Sequence, residues 1–156
     1  MFRDIVEIDL TKGNKYKDFG QGFYLTSDKK TAIRMATKKA RLFGGHPTLI
    51  TYDFDESAMN SDLKIKKFPI QATAEWLKFV AANRNKDCQD RPQPYDIISG
   101  PIADDGVVLT LTNFQEGIYS PEQAATALQD KYLDQQYYFG SKRALTFLTK
   151  IKAEPV

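Results

Sequence analysis

Cysteine and histidine are nearly absent. The 156 residues hold one of each, Cys88 and His46. A lone cysteine cannot form an internal disulfide, which fits a reducing compartment, and a cytoplasmic location is expected. A His/Cys zinc site is excluded on the same count, and a Cys–His nucleophile pair has little to be built from. No apolar run approaches the ~20 residues of a membrane span, and the N-terminus carries no signal-peptide apolar region. No membrane partner is therefore expected. The net charge of +2 and pI of about 8.5 are too mild to imply nucleic acid by themselves. Repeats and low-complexity segments are missing too. Whatever chemistry occurs here must use Tyr, Arg, amides and carboxylates, without a metal.

What is present suits one domain over residues 1–156, with 42% hydrophobic and 27% charged residues and enough chain for a real core. Asp4 to Leu10 alternates as a short extended segment through Ile5, Ile8 and Leu10, before a polar loop. Ser27-Asp28 caps a predicted helix running through Phe43, with Ile33, Ala36, Ala40 and Phe43 at helical spacing. Lys30, Arg34, Lys38 and Arg41 line another face, and Gly44-Gly45 stops the helix. Thr48 to Phe54 is the clearest strand, with Ile50, Tyr52 and Phe54 on one face. Leu63 to Lys66 reads as a short edge strand guarded by lysines.

A second helix is predicted from about Thr73 to Asn83 or Arg84, with Trp76, Phe79, Val80 and Asn83 on one face. It brings an amide and a guanidinium to the end of an apolar stripe, where Arg84 also answers the helix dipole. Tyr95 to Ser99 reads as a strand ended by Gly100-Pro101. Asp104 to Gly117 carries both strand and helix patterns, and Asp104 as a cap tips the expectation to helix. Ser120-Pro121-Glu122-Gln123 is a capping box. Gln136 to Phe139 reads as a strand, after which Ser141 caps a last helical turn or two carrying Ala144, Leu145 and Leu148. The pattern as a whole is mixed α+β.

The most informative stretch is Lys17-Asp18-Phe19-Gly20-Gln21-Gly22-Phe23-Tyr24-Leu25-Thr26. Two glycines open the way for close approach to the backbone, and a short aromatic strand follows. Such a loop can deliver Tyr24 to a flat aromatic ligand. It can equally be a turn before a core strand, with Tyr24 as packing.

Four blocks, taken together, resemble a known family. They are Asp18-Phe19-Gly20-x-Gly22-Phe23-Tyr24-x-Thr26, Trp76-x-x-Phe79-x-x-x-Asn83-Arg84, Tyr95-Asp96-x-x-x-Gly100-Pro101-x-Ala103-Asp104 and Gln136-x-x-Phe139-x-Ser141-x-x-Ala144-Leu145. In this order they look like a bacterial domain family of unknown function, the one numbered three-nine-nine-zero. That family in turn resembles the ADP-ribosyltransferase fold. The resemblance implies a split, strongly curved, antiparallel-rich β-core with flanking helices and NAD as substrate, bound between two small sheets. It places Tyr24 as the aromatic on nicotinamide and Gln136 where the relatives carry a catalytic Glu. Gly20 and Gly22 would let the loop close over the ligand, and Phe23, Asn83 and Arg84 are further cofactor-binding candidates, Arg84 for a phosphate. Asp96, Asp104 and Asp105 are further candidates without an assigned role.

Two departures from the resemblance matter. Its Tyr-His-Gly-Ser-like first strand would lie before Met1, so a first strand is expected to be lacking, and His46, in a Gly-Gly-His-Pro turn, is no substitute. Gln136 has no charge, and an oxocarbenium-like transition state wants a carboxylate. The amide can hydrogen-bond a ribose but cannot act as a base. The expected function is therefore NAD binding with ADP-ribose transfer to an unknown acceptor, or a non-catalytic nucleotide-binding or protein-interaction module of the same fold. A toxin-like effector held in check by a neighbouring protein is a further class.

Other patterns carry less. Asp18-Phe19-Gly20 lacks the remaining kinase motifs, and Gly20-x-Gly22 lacks the third glycine of a dinucleotide fingerprint. The basic row at Lys30, Arg34, Lys38 and Arg41 could meet the phosphates of a nucleotide or nucleic acid, or be a solvated helix face. Cys88 lies in a polar stretch with nothing nearby in sequence to activate it.

Overall fold

The computed structural model describes residues 7–87 and 94–156. In chain order the elements are β1 (Phe23–Leu25), α1 (Lys29–Phe43), β2 (Thr48–Phe54), β3 (Ile65–Lys67), α2 (Ala74–Arg84), β4 (Ile97–Pro101), α3 (Asp105–Gln115), α4 (Pro121–Ala127), β5 (Gln135–Phe139), α5 (Lys142–Leu145) and β6 (Leu148–Pro155). The architecture is mixed α+β. One sheet has the order β1-β5-β4-β3, with β5 antiparallel to both neighbours and β3 parallel to β4. A second sheet pairs β2 with β6, from Thr48 opposite Pro155 to Phe54 opposite Leu148, with a bulge between Thr51 and Tyr52.

Strand alternation divides the apolar side chains between two cores. Tyr24, Ile98 and Tyr138 face the helices, packing with Trp76, Leu77 and Val80 of α2, Val107 and Leu111 of α3, and Ala124 of α4. Phe23, Leu25, Ile97, Tyr137 and Phe139 face the other way, onto Phe54 and Leu148 of the second sheet and Ala144 of α5. The larger sheet is thus sandwiched between helices and a two-stranded ribbon. Each fully buried large side chain contributes about 1.5–3 kcal/mol relative to exposure.

Local chemistry sets the helix ends. Asp28, Thr73, Asp104, Ser120 and Ser141 each accept a backbone N–H in the first turn of the helix that follows. Ser120 and Gln123 complete both halves of the capping box. The Asp104–Gly117 stretch is helical despite its β-branched residues, because Val107 and Leu111 recur at helical spacing against the core.

Three expectations need correction. Of the Asp4–Leu10 segment, residues 4–6 lie outside the described residues, and Leu10 opens a 3-10 turn capped by Asp9 rather than ending a strand. β4 runs through Gly100-Pro101 instead of stopping before them. Pro101 lies beyond the last β3 pairing, Lys67 with Ser99, so its missing N–H costs no bond to that neighbour. Finally, Leu148 begins β6 and does not continue the last helix. The alternating lysines of this strand hid a partner for β2. Cys88 lies outside the described residues.

Candidate functional site

The loop between the first turn and β1 is built around a buried acid. Asp18 is 5% exposed, and both carboxylate oxygens are used. Oδ1 accepts Nε and Nη2 of Arg84 at 2.8 and 2.5 Å. Oδ2 accepts the Ala103 N–H at 2.9 Å and the Gln136 amide at 3.0 Å. Arg84 also donates to the Ala103 carbonyl at 2.9 Å, and Gln136 to the Pro101 carbonyl at 3.2 Å. Asn83 donates to the Asp18 carbonyl at 3.1 Å and to Phe79 at 3.0 Å. Four segments distant in sequence therefore meet at one carboxylate: the loop, the end of α2, the β4–α3 link and β5. Charge-assisted bonds of this kind are the strong ones.

Phe19, fully buried, holds the next step of the loop. Its ring stacks on Phe68 and Tyr24, at centroid distances of 5.9 and 6.4 Å, and meets Phe79 and Tyr138 edge-on. Gly20 has φ of 92°, a conformation that would strain any residue with a side chain. The Tyr24 hydroxyl closes the turn, donating to the Gly20 carbonyl at 2.6 Å and accepting the Phe19 N–H at 3.0 Å. Tyr138 donates to the Gln21 carbonyl at 2.8 Å. A Cβ at Gly22 would collide with the Tyr138 ring and come within 2.8 Å of the Phe139 carbonyl. Burial raises the Tyr24 pKa well above the usual phenol value, and burial pushes Tyr138 up to about 12. Both phenols are neutral hydrogen-bonding groups at physiological pH.

Of the predicted site residues, Gly20, Gly22, Tyr24, Asn83, Arg84 and Gln136 come together at this loop. They do so chiefly as its fasteners. Gly22 makes room for Tyr138, and Asp18 to Gly20 are already buried, so the loop is pinned rather than free to close. Gln136 is 7% exposed, and its amide donates to the hub. Phe23 does not join the group: it points into the second core, edge-on to Tyr52 at 5.4 Å. Asp96 accepts the Lys64 N–H at 2.8 Å and so ties β4 to the start of β3. Asp104 caps α3, and Asp105 is exposed and lies 3.7 Å from Lys38. His46 is exposed between α1 and β2.

Sequence reasoning undervalued Asp18, the centre of the hub. The available signal was an acid and a guanidinium, Asp18 and Arg84, both within the family blocks, with the acid next to an aromatic, Phe19. An open cleft of about 510 Å³ lies elsewhere, lined by Gln71, Thr73, Ala125, Thr126, Gln129 and others between the start of α2 and α4. It includes neither Tyr24 nor Gln136. Among the described residues, no group of three His, Cys, Asp or Glu side chains is placed to hold a metal ion, and no helix is long and apolar enough to cross a membrane.

No curated protein and no solved structure shows significant similarity to the chain. A family profile does match, over residues 2–149, and it takes in all four sequence blocks whose side chains build the Asp18 hub and its surroundings. The chain belongs to the family described as Protein of unknown function (DUF3990).

Proposed function

We propose that this is an ADP-ribosyltransferase-like domain that binds NAD against the Asp18–Gly22 loop, with Tyr24 at the nicotinamide end. One observation carries the reading. Tyr24 and Gln136, far apart in sequence, both hydrogen-bond the same short loop, Tyr24 at Gly20 and Gln136 at Asp18. Tyr24 is half-buried and stands beside a backbone turn that the Asp18 hub fixes in advance.

The second reading, a non-catalytic module of the same fold, is favoured by Gln136. Its amide is spent on Asp18 and Pro101 and, unlike a carboxylate, gives no charge to an oxocarbenium-like state. A Glu at this position would set two carboxylates about 3 Å apart, a repulsive arrangement in a buried site. The neutral amide is what the Asp18 hub requires.

Calorimetric titration of the chain with NAD tests the common part, and nicotinamide release from the same samples separates the two readings. Binding with release supports an enzyme. Binding without release supports the module. Absence of heat up to millimolar NAD defeats both.

A further inference from the structure

The open cleft between the start of α2 and α4 has the size of a small-molecule site, at about 510 Å³. Gln71 and Thr73 line it from the link before α2 and from the helix cap. Thr126 lines it from α4, and Gln129 and Asp130 from the turn that follows. Ala72 and Ala125, which also pack on the first core, supply its apolar part. The two sides are tied together close by. The Gln135 amide donates to the carbonyls of Ile70 at 2.9 Å and Leu133 at 3.1 Å. The segments flanking the cleft are thus held at a fixed spacing before any ligand arrives.

The polar groups of the lining are left over by the fold. Gln21, Gln123, Gln135 and Gln136 each make a side-chain hydrogen bond within the chain. Gln71 and Gln129 make none among the described residues, and neither does Gln115 on α3. Two of these three free amides meet in one cavity. Beside them is the Asp130 carboxylate, which has no ion pair among the described residues either. The Thr126 hydroxyl donates to the Glu122 carbonyl at 2.9 Å, so its lone pairs remain as acceptors.

The charge of the cleft has one sign. No lysine or arginine lines it, and Lys131, next to Asp130, gives its ammonium to the Gly106 carbonyl at 2.5 Å. Glu122, one turn before Thr126 on the same face of α4, is a second exposed carboxylate. Such a field repels phosphates and favours cations. Among cations, a guanidinium fits best. It has five N–H donors and no acceptor, and its planar fork matches a carboxylate.

We propose that this cleft binds a small cationic ligand rich in N–H donors, its guanidinium set against Asp130 and the amide oxygens of Gln71 and Gln129. The ligand is not NAD, whose pyrophosphate the carboxylate repels.

The test is a series of amide NMR spectra of the chain titrated at low salt with agmatine, a guanidinium on a short alkylamine. Saturable shifts at Gln71, Thr73, Thr126 and Asp130, with a dissociation constant in the millimolar range, are expected. Asp130→Asn should weaken binding by about tenfold, the effect of one charge-assisted contact. Asp53→Asn makes the same change in net charge at an exposed position of β2, in the other sheet. It should move the affinity by less than about twofold. Cadaverine, a dication of similar length without the planar fork, should bind about fivefold more weakly or worse. No saturable shift at the cleft, equal losses in the two variants, or cadaverine bound as tightly as agmatine overturns the site. Glucose bound at the same amides as tightly as agmatine makes the cleft a site for neutral hydroxyl groups and overturns the cation assignment. NAD shifts confined to these amides overturn it as well.

Discussion

Removing either member of the Asp18–Arg84 pair should be among the most damaging single changes in the chain. The Asp18 side chain is 7% exposed and that of Arg84 29%, so the two sides of the pair are unequal. Arg84→Met leaves a buried carboxylate with only the Ala103 N–H and the Gln136 amide as partners. Asp18→Ala leaves a guanidinium that water can partly reach and that keeps the Ala103 carbonyl. Breaking a buried ion pair by deleting one partner costs about 3–5 kcal/mol. The exposure of Arg84 puts Asp18→Ala near the lower end, at about 3 kcal/mol, with Arg84→Met equal or worse. Against a total stability of about 5–15 kcal/mol, either loss is a large fraction. Urea unfolding followed by circular dichroism measures both, and the double variant completes a cycle. The double variant should lose less than the two single losses added together, by about 1–3 kcal/mol, because the orphaned charge is gone. Single losses below about 1 kcal/mol, or strict additivity, are the behaviour of a solvated surface pair and refute the hub.

Gly22→Ala should destabilise the chain by about 1–3 kcal/mol, since its Cβ has nowhere to go but into Tyr138 and the Phe139 carbonyl. An unchanged urea midpoint contradicts that packing. Tyr24→Phe removes the group joining Gly20 to Phe19 and should cost about 1–3 kcal/mol. Hydrogen exchange at the Phe19 amide should quicken, and undiminished protection there argues against the closure of the turn. Alkaline pH offers a separate check. Tyr24 and Tyr138 have raised folded-state values, so the native chain holds protons that the unfolded chain releases near pH 10. Their contribution is complete below about pH 10 and is lost as the pH rises toward the raised values. Tyrosinate absorbance should then grow in step with unfolding, whereas early ionisation of all tyrosines without unfolding contradicts their burial.

Much of the fold was legible wherever a periodic pattern carried its own end signals. The Asp28 cap and Gly44 bracket α1, and Ser120 with Gln123 announces α4, because caps act locally. Thr48–Phe54 could be read from alternation alone. β6 could not: its exposed lysines look like loop or helix surface, and only pairing with β2 makes it a strand. The Gly100-Pro101 pair looked like punctuation, yet the end of β3 next door allows β4 to continue through it. At the site, the residues that meet were largely named from sequence, but their roles were not. Gln136 was expected to face a ribose, whereas its partner is a carboxylate far away in the chain. A tertiary hydrogen-bond network has no periodicity, so spacing cannot reveal it.

The loop's role as a dinucleotide site is tested most directly by amide NMR spectra of the chain titrated with NAD. Saturable shifts at Lys17, Gly20, Gly22 and Tyr24, with the Asp18 contacts intact, are the predicted result. No shift up to millimolar NAD, or shifts confined to the cleft around Thr73 and Thr126, contradicts it.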